Sequence, residues 1–118
     1  MTGQYQCARV EGMYYHFRQN NSRGYFKKPA VHVFVEAETP EQASERFLTI
    51  PGCYFDPYCR FDCSCCGSRW SNFFSDQLTA EDMRVMIEEE KVRVTAWLSE
   101  GISTAYILHS NGENETIP

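Results

Sequence analysis

Five of the six cysteines, Cys53, Cys59, Cys63, Cys65 and Cys66, fall within fourteen residues. Thiolates are soft ligands, and a C-x-x-C spacing lets two of them face one ion. Cys63 and Cys66 form such a pair in Cys63-Ser64-Cys65-Cys66-Gly67, where the glycine permits a tight turn with backbone N–H groups near the sulfurs. A closed tetrahedral set of this kind is structural zinc chemistry. Cys59 is the expected third ligand. The fourth is open among Cys53, Cys65 and a distant histidine (His16, His32 or His109), and Cys53 completes the set carried forward, Cys53, Cys59, Cys63 and Cys66. The chain has no second C-x-x-C of the kind a zinc ribbon shows. Three other readings compete: reduced cysteines buried as small hydrophobes, disulfides if the chain is exported, and a reactive thiol such as Cys59 or Cys65. A nucleophilic thiol needs a depressed pKa and a nearby base, and no histidine adjoins this run.

A second concentration of chemistry is cationic. Arg18, Arg23, Lys27 and Lys28 supply four of the eleven basic residues within eleven positions, with no acid among them and with Tyr25 and Phe26 interleaved. Cations beside aromatic rings on a glycine-containing loop suit a phosphate with a stacked base, as in a nucleotide or single strand. The plainer alternative is a solvated loop whose charge aids solubility. Arg69-Trp70 follows the cysteines directly and could stack a base in the same way. Against that, Trp is usually buried, so Trp70 could pack beneath the loop while Arg69 pairs with Asp56 or Asp62. Asp76, Glu81, Asp82 and Glu88 to Glu90 could offer a negative face to a basic protein, although charge runs are usually wet faces.

These residues need elements to hold them. Tyr5 to Phe17 is rich in aromatic and β-branched types and reads as a first strand, interrupted at Gly12. Residues 18–24 then form a long hairpin loop. Val31, Val33 and Val35 alternate with His32, Phe34 and Glu36, the period of two of a strand. Thr39-Pro40-Glu41-Gln42 opens a helix: Thr39 caps, Pro40 sits in the first turn, and Gln42 reaches back. It runs to about Leu48, burying Ala43, Phe47 and Leu48 while Glu41, Glu45 and Arg46 stay wet, and Pro51-Gly52 ends it. Residues 53–70 read as an irregular cysteine-rich loop. A second helix starts at Thr79, stapled by Leu78 and Met83, with Met83, Met86 and Ile87 buried. Glu88-Glu89-Glu90 sit badly at the negative end of the helix dipole, so an early stop is expected there. Val92 to Leu98 and Ser103 to His109 then read as strands of a terminal hairpin.

Tyr54-Phe55-Asp56 followed by Asp62-Cys63-Ser64-Cys65-Cys66-Gly67-Ser68-Arg69-Trp70 resembles the YFD/DCxCCGxRW element of small uncharacterised accessory proteins of tailed bacteriophages. The likeness covers about a third of the chain, from Val31 to Trp70, where those proteins also show a strand, an acidic helix and a cysteine loop. Cys53 and Cys59 have no counterpart in the element. The resemblance implies a phage origin and action in the host cytoplasm; it implies no activity.

The 118 residues, 23% charged and 42% hydrophobic, fit one soluble domain, expected over 1–110 with a flexible polar tail at 111–118. A net charge of −5 disfavours a coat for bulk duplex DNA, which rests on Lys and Arg neutralising phosphates. No apolar run approaches the roughly 18 residues of a membrane span. The N-terminus shows no secretory signal pattern, which points to a reducing compartment and leaves the acceptor patterns at Asn20 and Asn114 without meaning. There is no P-loop, dinucleotide glycine fingerprint, H-E-x-x-H or G-x-S-x-G. The fold expected is α+β: an antiparallel sheet of about four strands, two helices on one face, and the cysteine-rich loop. The function expected is a non-catalytic accessory protein with a zinc-stabilised loop. It would capture a host protein or a small phosphorylated or nucleotide ligand through Arg18, Arg23, Tyr25, Lys27, Lys28, Arg69 and Trp70, with self-association left open. A thiol-dependent enzyme and a zinc-knuckle nucleic-acid binder are the alternatives.

Overall fold

The computed structural model describes residues 13–20, 26, 28–55, 70–94 and 102–118, without the side chains of 72–76, 93 and 94. In chain order the described elements are β1 (Met13–Gln19), β2 (Ala30–Ala37), α1 (Pro40–Phe47), β3 (Trp70–Leu78), α2 (Ala80–Val94), β4 (Ser103–Leu108) and β5 (Asn114–Ile117). The strands form one sheet in the order β3-β1-β2-β4-β5. β1 pairs antiparallel with both β2 and β3, β4 pairs antiparallel with β5, and β2 pairs parallel with β4. The fold is therefore α+β with a mixed sheet, where a purely antiparallel one was expected. Returning parallel to β2 requires a crossover, and α2 is the element that makes it.

The two helices cover opposite faces, not one. Successive strand residues point to opposite sides. Tyr15, Phe17, Val33 and Val35 pack with Ala43 and Phe47 of α1, whereas Tyr14, Phe34, Ala105 and Ile107 pack with Met83 and Ile87 of α2. Strand β2, third of five and covered on both sides, is buried at all eight positions.

On the α1 side the core is aromatic. Phe47 stacks on Phe17 with ring centroids 4.1 Å apart and meets the edge of Trp70 at 5.2 Å. Helix α1 begins as its sequence requires: the Thr39 hydroxyl accepts from the backbone N–H of Gln42 at 3.1 Å, and Gln42 Oε1 accepts from the N–H of Glu38 at 2.8 Å. Leu48 lies outside the buried stripe, about half exposed, because it is the C-cap residue and has left the helical face. Helix α2 has the expected Leu78 and Met83 at its start, and Thr79 Oγ1 caps the N–H of Asp82 at 3.1 Å. It does not stop at the glutamates. It continues to Val94, carrying Lys91 and Val92 that were expected to begin a strand. Glu90 has a partner on the sheet, and Lys91 pairs with Glu88 at 3.7 Å, so the acidic turn is compensated.

Two strands were missed. Trp70–Leu78 is an edge strand whose serines, asparagine and aspartate imitate a loop. Asn114–Ile117, expected as a loose tail, is the opposite edge strand, with Ile117 packed against the α2-side core. Edge strands keep one side polar, which conceals them in sequence.

The turn after α1 is constrained by a close approach. Gly52 has φ +90°, and a Cβ there would lie 2.6 Å from the Lys28 carbonyl oxygen. Gly52→Ala is expected to cost about 2 kcal/mol, from backbone strain together with displacement of the Lys28 carbonyl. Equilibrium urea denaturation reads this as a lowered midpoint; an unchanged midpoint would show that the turn relaxes freely.

Candidate functional site

One end of the sheet gathers the roots of both segments singled out in sequence. Gln19 closes β1 there, fully buried, donating from Nε2 to the Ala30 carbonyl at 2.7 Å. Trp70 pairs in register with Gln19, and its Nε1 donates to the Gly52 carbonyl at 3.1 Å. Gly52 in turn abuts the carbonyl of Lys28. The β1–β2 connection and the segment between Phe55 and Trp70 therefore start and finish beside one another.

Arg18 and Lys28 are exposed at this end. Arg23, Tyr25, Lys27 and Arg69 lie outside the described residues, as do Cys59, Cys63, Cys65 and Cys66. Trp70 is 1% exposed and wedged against Phe47, so it packs and has no face left for a base; the stacking role given to it is corrected. Cys53 is buried in the same aromatic core, and burial pushes its thiol up to about 12. Among Phe17, Phe47 and Trp70 it packs as a small hydrophobe. Among the described residues, no group of three or more His, Cys, Asp or Glu side chains is arranged to hold a metal ion.

The opposite end holds a network that no local pattern announces. His109, just past β4, accepts or donates on both ring nitrogens: Nδ1 lies 2.9 Å from the Tyr14 hydroxyl and Nε2 lies 2.6 Å from Glu115 Oε2. Arg84 of α2 grips Glu115 through both carboxylate oxygens, at 2.7 and 3.1 Å. That pair, with help from His109, holds the Glu115 carboxyl down to about 2. An ionised Glu115 only accepts, so Nε2 carries the ring proton and Nδ1 accepts from Tyr14 when the imidazole is neutral. Glu36, at the end of β2, stands 3.9 Å from Nδ1 and takes the Ser110 N–H at 2.9 Å. Arg46 was expected to stay wet. It reaches around the sheet end and donates to the carbonyls of His109 and Ser110 at 2.5 and 3.2 Å.

A third constellation lies beneath α2. His16 Nε2 and His32 Nδ1 are 2.9 Å apart, and His32 Nε2 is 3.0 Å from Glu90 Oε1. The two imidazoles stack with each other and with Phe34. Burial first, then repulsion by His32 when it is protonated and by Arg18, pushes His16 down to about 3. With Glu90 accepting from His32, the neutral pair passes one direction of donation, His16 to His32 to Glu90.

The family described as Domain of unknown function (DUF7296) matches residues 12–117. The chain belongs to this family. The match spans every described strand and helix, so both histidine networks lie inside the family's domain. No curated protein and no solved structure matches the chain.

The only hint of these networks in the sequence was three histidines placed on strands, read there as candidate metal ligands. Their partners Tyr14, Glu36, Glu90 and Glu115 are between 6 and 95 positions away, and nothing in spacing connects them.

His16 makes stability depend on pH in a stated direction. Its ordinary value of 6.5 applies in the unfolded chain and its folded value is about 3, so below 6.5 the unfolded state binds the extra proton. The His16 contribution is complete above pH 6.5 and declines as pH falls toward 3. Glu115, lowered from 4.5 to about 2, adds its own loss only below about 4.5. Chemical denaturation between pH 7 and 4.5 should show stability falling on acidification, and His16→Phe should flatten that slope; an equally steep slope in the variant would assign it to other groups.

Proposed function

We propose that this DUF7296 chain is a binding protein that captures a small phosphorylated ligand, a nucleotide in the first instance, at the end of the sheet where Gln19, Lys28, Gly52 and Trp70 meet. One observation carries the reading: the basic β1–β2 connection and the cysteine segment are rooted side by side. Arg18 and Lys28 are exposed there, and residues 18–28 contain no carboxylate to neutralise them. Arg23, Lys27 and Arg69 would add cations and Tyr25 a stacking face. Capture at this end needs no bond to be broken.

In the same reading the cysteine segment is pinned by a structural zinc ion held through Cys59, Cys63 and Cys66. The buried thiol of Cys53 makes Cys65 the better fourth ligand. Pinning such a segment by metal would give the basic connection a firm floor. The resemblance of the 54–70 element supports a phage origin and a place in the host cytoplasm, where capture of a signalling nucleotide, or of a host protein, would serve counter-defence. No described helix is long and apolar enough to cross a membrane.

Isothermal titration with ATP and with a cyclic dinucleotide tests the ligand. Arg18→Glu combined with Lys28→Glu should weaken binding at least tenfold, since both side chains are exposed and their loss leaves the core intact. Unchanged affinity, or no heat with either nucleotide, would remove the proposal. Native mass spectrometry of protein purified without chelator should show one zinc per chain, lost in Cys63→Ser; a metal-free mass would dismiss the zinc.

A further inference from the structure

We propose that Tyr14, His109 and Glu115 form a nucleophile, base and positioning group, with the Tyr14 hydroxyl as acceptor for an electrophilic phosphoryl group. The site goes beyond the nucleotide-capture reading and does not depend on it, for Tyr14 and Arg18 lie toward opposite ends of β1.

The geometry is that of an activated hydroxyl. A nucleophile becomes competent when a base lies within hydrogen-bond reach and a third group orients that base. Tyr14 Oη is 2.9 Å from His109 Nδ1, and Glu115 holds Nε2 at 2.6 Å. The tautomer is dictated by chemistry, because the ionised Glu115 requires a proton on Nε2 and leaves the Nδ1 lone pair toward the phenol. The ring is fixed from several directions: edge-on packing of Tyr14 and His109 at 90°, Arg46 on the two carbonyls of 109 and 110, and Arg84 on Glu115. When Nδ1 takes the phenolic proton, the imidazolium stands between two carboxylates, Glu115 in contact and Glu36 at 3.9 Å. The site also sits where parallel strands place ligands, at the C-terminal ends of β2 and β4, with Glu36 and His109 contributed from those ends. The Arg84–Glu115 pair at its outer edge is nearly half exposed, so the site lies close to the surface.

The step balances with a phosphoryl ester or anhydride that carries a good leaving group. Tyr14 Oη attacks phosphorus while its proton passes to His109 Nδ1. The new Oη–P bond replaces the bond from phosphorus to the leaving group, which departs with that electron pair and takes the proton from Nδ1. A phosphoryl group is the fitting electrophile because two guanidinium groups lie at this sheet end, Arg84 on Glu115 and Arg46 on the carbonyls of His109 and Ser110, and cations offset charge on equatorial oxygens.

A fluorophosphonate reports this chemistry directly, forming the same Oη–P bond with loss of fluoride. Incubation of the full chain followed by peptide mapping should place one adduct on Tyr14, formed at least tenfold faster than on Tyr15, Tyr54 or Tyr106. Glu115→Gln should lower the maximal labelling rate at least tenfold while leaving the concentration for half-maximal rate unchanged, as expected of a positioning residue that does not touch the probe. His109→Gln should abolish the preference for Tyr14. Because His109 is packed, its variant is read together with its circular dichroism; Glu115→Gln, on an exposed edge strand, carries the test if His109→Gln unfolds. No adduct on Tyr14, or a Tyr14 rate unaffected by Glu115→Gln, would overturn the proposal.

Discussion

Strand β2 is closed off from water on both faces, and much of the molecule follows from that single constraint. A strand covered by α1 on one side and α2 on the other can be apolar throughout at no cost, yet this one carries His32 and Glu36. Burying such groups without partners costs several kcal/mol, so each must find one inside the fold. His32 finds His16 and Glu90, and Glu36 finds the Ser110 backbone and the neighbourhood of His109. The polar residues of β2 thereby dictate where α2 lies, how the chain turns after β4, and which carboxylates face inward.

The same constraint explains why α2 runs past its acidic turn. Its apolar grip on the sheet is modest, with Met83 and Ile87 buried and Val85 and Val92 exposed. Polar ties supplement that grip at both halves: Arg84 to Glu115 near its start, and Glu90 to His32 near its end. Helix α1 is held differently, by the stack of Phe47 between Phe17, Phe55 and Trp70. One face of the sheet is thus cemented by aromatic packing and the other by histidine-centred hydrogen bonds, whose strength depends on protonation.

The two ends of the sheet are built differently. At one end Gln19, Lys28, Gly52 and Trp70 stand together, where two long connections begin or end. At the other end short turns bring Tyr14, Glu36, His109 and Glu115 into contact. Long connections suit adaptable binding, whereas tightly tied side chains suit proton movement.

What the residues determined alone was local. Alternation made β2 a strand, Thr39-Pro40 started α1, Leu78-Thr79 started α2, and Phe47 and Met83 were legible as core, because each signal lies within a few positions and reflects backbone geometry. The edge strands β3 and β5 were hidden, since an edge needs only half an apolar pattern. Parallel pairing of β4 with β2, and the placing of α1 and α2 on opposite faces, depend on which distant strand is adjacent, which no local period encodes. Trp70 could be read as core or as a base-stacking ring until Phe47 and Gly52 were seen to enclose it. The histidine networks were beyond sequence for the same reason: Tyr14 and His109 lie 95 positions apart, and only the closed sheet brings a phenol, an imidazole and a carboxylate within hydrogen-bond reach.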